Sequence, residues 1–191
     1  MNTPIYLNTD FYKLSHREQY PEGTTVVYST LTPRSNKYAP WAEEIVFFGL
    51  QYFIKEYLID KFNKEFFEVP IETIVNNYTN FIKNTLGKED VSTEHLVELH
   101  RLGYLPLEIK ALPEGTLAPM RCPVVTIENT HPSAFWLTNF IETILSTTIW
   151  QPVTSATLAN EYRKKLDEYA IKTTGSTLGV DYQGHDFSMR G

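Results

Sequence analysis

Three short polar clusters hold the side chains of this sequence that could do chemistry. They are "TDFYKLSH" at 9–16, "TLTPRSNKY" at 30–38 and "HDFSMRG" at 185–191. Each cluster sets an aromatic ring or a carboxylate beside a basic side chain. Together these residue types suit a flat heteroaromatic ring next to phosphate groups, because aromatic side chains stack on such a ring and a guanidinium binds phosphate oxygens bidentately.

Each cluster also has a purely structural interpretation. Tyr12 would be a core aromatic, Arg34 a solvated charge after a strand, and Arg190 a surface residue. Spacing alone favours this interpretation, since polar clusters without a known motif are common in loops. A further hydroxyl-rich stretch, "KTTGSTLG" at 172–179, offers backbone N–H groups to a phosphate, but the end of a helix followed by a polar loop explains it equally well.

Other kinds of site find little support in the sequence. His95 and His100 are five residues apart, which misses the spacing of four that brings two helical ligands together, so no metal site is expected. The sequence contains neither G-x-G-x-x-G nor a Walker loop nor G-x-S-x-G. Any phosphate site must therefore be built in another way.

Composition and charge limit the partners. The chain has 191 residues and a formal net charge of −6, so we expect no nucleic-acid partner and no association with membranes. Its single cysteine, Cys122, excludes an intramolecular disulfide, and the start "MNTPIYLNTD" lacks the pattern of a secretion signal. These features predict a cytoplasmic protein.

Apolar periodicity predicts the elements that must position the clusters. Residues at helical spacing predict helices at about 43–62, 70–85, 92–102, 133–150 and 154–173. Strands are predicted at 24–31, 107–111 and 124–128, the last two as a hairpin or meander, and residues 1–23 are predicted to be irregular. Pro152 should break the chain between the last two helices, and Gly175 should end the second of them.

The order of these elements predicts an α+β fold. Strands and helices come in runs and do not alternate as they do in a βαβ series. A strand beginning near residue 180 would have little chain left to pair with. We therefore expect one α+β domain over 1–179 and, at 180–191, the first strand of a domain that continues elsewhere.

Five stretches resemble, in the same order, the N-terminal part of the nicotinamide phosphoribosyltransferase family, and the resemblance is weakest at about 60–100. They are "TDFYKLSHREQYPEGTTVVYS", "VFFGLQYFIKEYL", "LPLEIKALPEGT", "TIENTHPSAFWLTNFIETILS" and "HDFSMRG". The resemblance implies a pentosyltransferase of NAD salvage that transfers phosphoribose from 5-phosphoribosyl 1-pyrophosphate to nicotinamide, giving nicotinamide mononucleotide and pyrophosphate. Nicotinate phosphoribosyltransferase is the sister family and the alternative.

The resemblance also implies roles for single residues. Phe187 resembles one face of the sandwich around the pyridine ring, and Tyr12 resembles the other, supplied by the partner subunit of a homodimer with shared sites. Arg190 resembles an arginine near the ring and the phosphates, and Arg34 one that grips phosphate across the dimer. Asp10 is expected to position the loop of Tyr12.

One departure from the family pattern affects the ring pocket. Ser188 and Met189 stand where the family usually has a glycine and an aromatic residue. The resemblance further implies Mg²⁺ bound with the pyrophosphate substrate, and ATP as in the nicotinamide enzymes.

The resemblance finally implies a type II phosphoribosyltransferase whose α/β barrel is missing here, with no catalytic residue within the chain. We therefore expect the isolated 191 residues to be inactive, as a truncated form, a split gene product or a fragment. A non-catalytic interaction module and a small-ligand binding protein that has lost transfer chemistry are the other interpretations.

Overall fold

The structure is a computed structural model that describes residues 3–185 and residue 187. The chain divides into two compact units. The first comprises the residues up to Ser29, Gln51–Lys110 and Thr126–Ser146, and the second comprises Thr30–Leu50, Ala111–Val125 and the residues from Thr147 onward.

Helices and strands are mixed along the chain. The α-helices are α1 (Leu50–Phe53), α2 (Ile71–Leu86), α3 (Glu94–Leu102), α4 (Leu137–Phe140) and α5 (Glu142–Thr174). Helix α1 continues into π-helical segments at Ile54–Lys61 and Asn63–Phe67, and 3₁₀ helices lie at Ile5–Leu7, Phe11–Gln19, Pro132–Ala134 and Val180–Tyr182. The strands are β1 (Tyr28–Leu31), β2 (Glu44–Val46), β3 (Leu107–Ala111), β4 (Leu117–Pro119) and β5 (Val125–Asn129).

The strands form two small sheets. Strand β5 lies between β1 and β3 in the larger sheet. Strands β2 and β4 pair antiparallel, with Ile45 opposite Ala118. Strands β3 and β5 are thus neighbours, as the predicted hairpin requires, but the chain between them first contributes β4 to the other sheet.

Aromatic packing holds the first unit together. Phe66 is fully buried, and the ring centroids of Tyr6, Phe62, Phe67 and His100 lie between 5.1 and 6.2 Å from its own. The His100 ring is fixed by a hydrogen bond of 2.9 Å between Nε2 and the carbonyl oxygen of Val69. Buried aromatic rings combine a large apolar area with specific edge contacts, so this cluster forms a well-defined core.

The predictions for α2 and α3 are confirmed. Both helices end where a glycine adopts the left-handed conformation, at Gly87 (φ 65°) and at Gly103 (φ 73°). Helix α5 likewise ends before Gly175 (φ 73°). Glycine takes this conformation without a steric penalty, so these three ends were readable from local sequence.

The prediction of an irregular N-terminus is wrong. Residues Ile5–Leu7 and Phe11–Gln19 form 3₁₀ helices, and Ile5, Tyr6 and Leu7 are buried. The Ile5 amide donates a 2.8 Å hydrogen bond to Glu65 Oε2, which lies 60 residues further along the chain. Long-range contacts of this kind carry no local sequence signal.

The predicted helix at 43–62 begins too early. Residues Glu44–Val46 form β2, and Phe47 continues the pairing through its amide, 3.0 Å from Thr116 O, and its carbonyl, 2.8 Å from the Gly115 amide. Gly49 then adopts a φ of 100°, which no helix allows. Helix α1 therefore starts at Leu50.

The prediction that Pro152 separates two helices is wrong. The proline lies inside α5, which runs for 33 residues. Its ring packs closely against the backbone of Gly49. A Cβ atom added to that glycine would lie only 2.9 Å from Pro152 Cβ, which is too close for two carbon atoms. The missing side chain at Gly49 leaves room for the proline, which tertiary packing then holds within a continuous helix.

Near the end of the described chain, Val180–Tyr182 form a 3₁₀ turn. The barrel strand expected from about residue 180 stays a prediction, because residues 186 and 188–191 lie outside the described part. In the part that is described, none of the helices combines the length and the apolar character needed to cross a bilayer.

Replacing Gly49 should destabilise the protein more than replacing a glycine with free space around it. Gly49→Ala combines left-handed strain with the contact to Pro152, and we expect a loss of about 2–4 kcal/mol. Gly175→Ala (φ 73°, nothing within 4 Å) isolates the strain and should cost about 1 kcal/mol. Urea unfolding measures both, and equal losses would contradict the packing role of Gly49.

Candidate functional site

The five predicted site residues fall in different parts of the chain. Asp10 and Tyr12 lie in the first unit, and Arg34 and Phe187 lie in the second. Arg190 is outside the described residues. The structure thus brings Asp10 and Tyr12 together within the first unit.

Tyr12 is an exposed aromatic side chain. It retains 58% of its accessible surface, so the alternative of a core aromatic is wrong. Its ring centroid lies 4.9 Å from that of His16, and its hydroxyl lies 3.5 Å from Asp10 Oδ2. The ring is therefore accessible to a ligand, yet it is oriented by neighbours in its own 3₁₀ helix.

Asp10 is bonded to the start of α5. The Thr143 hydroxyl donates to Asp10 Oδ2 at 2.7 Å, and the Asp10 amide donates to the same hydroxyl oxygen at 3.0 Å. The hydrogen bond from Thr143 lowers the pKa of the Asp10 carboxyl, and Lys13 adds to this effect. Asp10 is thus held as a carboxylate. Its hydrogen bonds to Thr143 attach the segment that carries Tyr12 to the start of α5.

Lys13 is a basic side chain of the cluster at 9–16 whose burial and partners the sequence did not reveal. The residue is buried, and its Nζ lies 2.7 Å from Glu142 Oε2, 3.1 Å from Thr143 Oγ1 and 3.3 Å from Asp10 Oδ2. Glu142 is 129 residues away in sequence, so no spacing rule connects the two. In the sequence, the position of Lys13 directly after Tyr12 was the feature that connected it with the candidate site.

A small cavity lies beside this segment in the first unit. Its volume is about 10 Å³, roughly that of one water molecule, and Lys13, His16, Tyr78, His95 and Trp136 contribute to its lining. His95 Nδ1 and Trp136 Nε1 are buried, and neither has a hydrogen-bond partner within the described residues. Desolvation by burial, with a contribution from the charge of Arg17, lowers the pKa of His95 to about 3, so its imidazole is neutral at pH 7.

Arg34 has an exposed side chain on a well-supported backbone. The Arg121 amide donates a 2.8 Å hydrogen bond to Pro33 O, and the Val124 amide donates a 2.9 Å hydrogen bond to Leu31 O. The backbone before Arg34 is therefore fixed, while its guanidinium is accessible to solvent. This geometry fits both a solvated charge and an anion contact.

Phe187 is 61% exposed and follows a turn that is tied to α5. Val180 of this turn is buried, and Asp181 forms an ion pair with Arg163 of α5. Arg163 also donates from Nε to Asp167 Oδ1 at 2.9 Å. These contacts hold the segment that leads toward Phe187.

Among the described residues, no group of three or more His, Cys, Asp or Glu side chains is placed to hold a metal ion. The polar groups gathered around Asp10 are a lysine, a threonine and a glutamate, and the lysine ammonium occupies the centre of that cluster. The cluster is thus suited to fixing a segment of chain.

The fold resembles part of a solved phosphoribosyltransferase structure. The crystal structure of human nicotinic acid phosphoribosyltransferase superimposes with a TM-score of 0.59 at 18% sequence identity, covering 86% of this chain and 29% of that one. At this identity the likeness shows the fold alone. This chain thus shares its mixed arrangement of helices and strands with part of that protein.

The sequence places the chain more narrowly. The family described as "Nicotinamide phosphoribosyltransferase, N-terminal domain" matches residues 4–109, which is more than half of the chain. The chain therefore belongs to the nicotinamide phosphoribosyltransferase family, and the resemblance found in its sequence is confirmed.

Curated relatives extend the match over nearly the whole chain. The nicotinamide phosphoribosyltransferase of Acinetobacter baylyi is 52% identical over 186 residues, covering 95% of this chain and 37% of that protein. Those of Xanthomonas campestris (32% identical) and Mycoplasma genitalium (34% identical) match 98% and 97% of this chain, and 37% and 43% of their own lengths. The chain thus spans well under half the length of these relatives.

His95 should make the protein sensitive to acid. Its pKa is about 3 in the folded protein and about 6.5 in the unfolded chain, so the unfolded state binds more protons between these values. Stability should therefore fall by about 3–5 kcal/mol as the pH drops from 6.5 to 3.

Replacing His95 by an apolar residue tests this expectation. His95→Leu removes the titrating group together with an unbonded buried nitrogen, so stability at pH 7 should change by less than about 1 kcal/mol and its acid dependence should become shallower. His185→Leu, at an exposed position, is the control. Unfolding at a series of pH values measures both, and equal acid slopes in the two variants would contradict the burial effect.

Proposed function

We propose that the chain supplies the N-terminal domain of a type II phosphoribosyltransferase, which transfers phosphoribose from 5-phosphoribosyl 1-pyrophosphate to nicotinamide. The products are nicotinamide mononucleotide and pyrophosphate. Membership of the family over residues 4–109 carries this proposal. The exposed ring of Tyr12, on a segment anchored by Asp10, supports it independently.

In this proposal Tyr12 and Phe187 stack on the two faces of the pyridine ring. Both side chains are more than half exposed, so each has aromatic surface to offer a ligand. Stacking fixes the plane of the ring and lets its nitrogen align with the anomeric carbon of the donor. In a homodimer with shared sites, Tyr12 would come from one subunit and Phe187 from the other.

Arg34 and Arg190 serve the phosphates in the same proposal. Cleavage of the bond from the anomeric carbon to pyrophosphate builds negative charge on the leaving group, which fixed cationic donors stabilise. A guanidinium suits this task because it donates two parallel hydrogen bonds. Mg²⁺ would neutralise charge on the pyrophosphate and would be held mainly by the substrate itself, and ATP is a further cofactor of the proposal, as in the nicotinamide enzymes.

Nicotinamide is the favoured base, with nicotinate as the alternative. The relatives that match nearly all of the chain are named for nicotinamide, at 52%, 32% and 34% identity. The solved structure named for nicotinic acid shares 18% identity, which supports the fold and says nothing of the base. A cytoplasmic location is part of the same proposal.

We also propose that residues 1–191 hold only part of the site. The relatives are more than twice as long, and the residues given roles here bind substrate without supplying an acid or a base. The remaining groups would then come from an α/β barrel that starts within residues 180–191.

Mononucleotide formation tests the proposed reaction. The protein expressed from its complete coding frame should convert nicotinamide and 5-phosphoribosyl 1-pyrophosphate to mononucleotide, with nicotinate as a poorer base, whereas the 191 residues alone should show no turnover. Turnover by the 191 residues would contradict the incomplete site. Absence of turnover with either base in the complete protein would contradict the reaction itself.

Loss of a stacking ring should weaken binding of the base selectively. Tyr12→Ala and Phe187→Ala should each raise the KM for nicotinamide about tenfold, because one stacking contact is worth about 1–3 kcal/mol. The KM for the phosphoribosyl donor should change little. Tyr104→Ala removes a tyrosine of similar exposure (54% against 58% for Tyr12) in the first unit and should leave both values unchanged. Unaltered nicotinamide KM in both variants would refute the sandwich.

A further inference from the structure

Lys13 is a buried cation in a segment that is otherwise accessible. Its side chain keeps 3% of its accessible surface, compared with 44% for Asp10 and 59% for Glu142. Lysine is almost never buried to this degree unless it is paired, because an ammonium loses its hydration when it leaves water. The position of this side chain therefore depends on the groups around it.

Three oxygens surround the ammonium. Asp10 Oδ2 comes from the preceding turn of the same segment, at 3.3 Å. Glu142 Oε2, at 2.7 Å, and Thr143 Oγ1, at 3.1 Å, come from the first two residues of α5. The lysine has three donors, and each has an acceptor within reach.

These contacts fix the segment against α5. The Thr9 hydroxyl donates to Phe140 O at 2.9 Å, and the Asp10 amide donates to Thr143 Oγ1 at 3.0 Å, but both bonds precede Tyr12 in the chain. Lys13 provides an anchor on the other side of Tyr12. The peptide that carries the Tyr12 ring is thus held from both sides.

We propose that Lys13 is a positioning residue for the substrate base. Its buried ammonium, clamped between Asp10 and the start of α5, fixes the backbone that presents Tyr12 and so pre-organises the ring for stacking on a pyridine. This inference rests on the proposed function. It adds a residue that touches no substrate and acts only through Tyr12.

The purely structural alternative is that Lys13 stabilises the fold without any effect on the site. The two possibilities differ in how Lys13 and Tyr12 combine. A residue that acts only through Tyr12 has nothing left to contribute to base binding once the Tyr12 ring is gone, so the effects of the two substitutions on binding are not additive. Under the structural alternative, Lys13→Met would lower the amount of folded enzyme and leave the nicotinamide KM unchanged.

A double-mutant cycle on the protein expressed from its complete coding frame tests the proposal. Lys13→Met keeps the aliphatic stem and removes the charge, and it should raise the KM for nicotinamide about fivefold with kcat and the donor KM little changed. Tyr12→Ala should raise it about tenfold, and the double variant should match Tyr12→Ala. Lys88→Met, which removes an exposed ion pair with Glu18 in the same unit, is the control and should have no effect.

Several outcomes would overturn the proposal. Additive losses in the double variant, or a normal nicotinamide KM in Lys13→Met while Tyr12→Ala raises it, would overturn the role of Lys13 and leave the stacking role of Tyr12 intact. A normal KM in Tyr12→Ala would overturn both.

A second measurement covers the case in which Lys13→Met fails to fold. Glu142→Gln weakens the same clamp at a half-exposed partner, and it should raise the nicotinamide KM about twofold and speed amide hydrogen exchange over residues 9–16. Exchange and KM both equal to those of the unsubstituted protein would overturn the proposal.

Discussion

The burial of one ammonium constrains how the first unit is assembled. Removing the Lys13 charge from water costs several kcal/mol, so acceptors must surround it wherever the side chain is buried. Asp10 supplies one acceptor, and Glu142 and Thr143 supply the others from a helix that begins 129 residues later. The 3₁₀ helix at Phe11–Gln19 belongs to a type whose hydrogen-bond geometry is poorer than that of an α-helix, and it takes its position from α5.

The second unit depends on a constraint of a different kind, the close approach of backbone to a proline ring. The turn that ends β2 passes Pro152 at Gly49, where no side chain would fit. The Val46 amide donates a 3.0 Å hydrogen bond to Thr157 Oγ1, one turn further along α5, and the same hydroxyl donates to Val153 O at 2.7 Å. One threonine hydroxyl thus satisfies a strand amide and a carbonyl of the helix. A proline in the middle of α5 is tolerated because this packing surrounds it.

Those parts of the fold that depend on local chemistry could be predicted from the sequence. Helices α2 and α3 have apolar stripes and terminal glycines, and β3 has an alternating pattern, so all three were found near their observed bounds. The incorrect predictions of secondary structure have a common cause. Strand β2, the 3₁₀ helices near the N-terminus and the continuity of α5 at Pro152 are decided by contacts between distant residues, which no window of neighbouring residues contains.

The residues of the candidate site also fall into two groups, those that the sequence indicated and those whose environment depends on distant parts of the chain. Tyr12 and Asp10 were identified by resemblance, and the structure adds that the ring is exposed and the carboxylate is bonded to Thr143. Lys13 was missed because a lysine in a polar cluster predicts a solvated charge, and its burial follows from partners elsewhere in the chain. His95 had been considered only as one of a pair of metal ligands, whereas its environment is a small cavity beside Trp136.

The two comparisons together restrict where the choice of base can be made. This domain shares its fold with a nicotinic acid enzyme at 18% identity, while its relatives named for nicotinamide reach 52%. A fold shared by proteins of both names does not by itself distinguish a carboxylate from a carboxamide, so under the proposed function that distinction would depend on particular side chains. Under the proposed function, stacking on Tyr12 would be insensitive to this difference, because nicotinamide and nicotinate present the same pyridine face. In that proposal the segment anchored by Lys13 would hold the ring, and selectivity for the substituent would require a polar group directed at the ring edge.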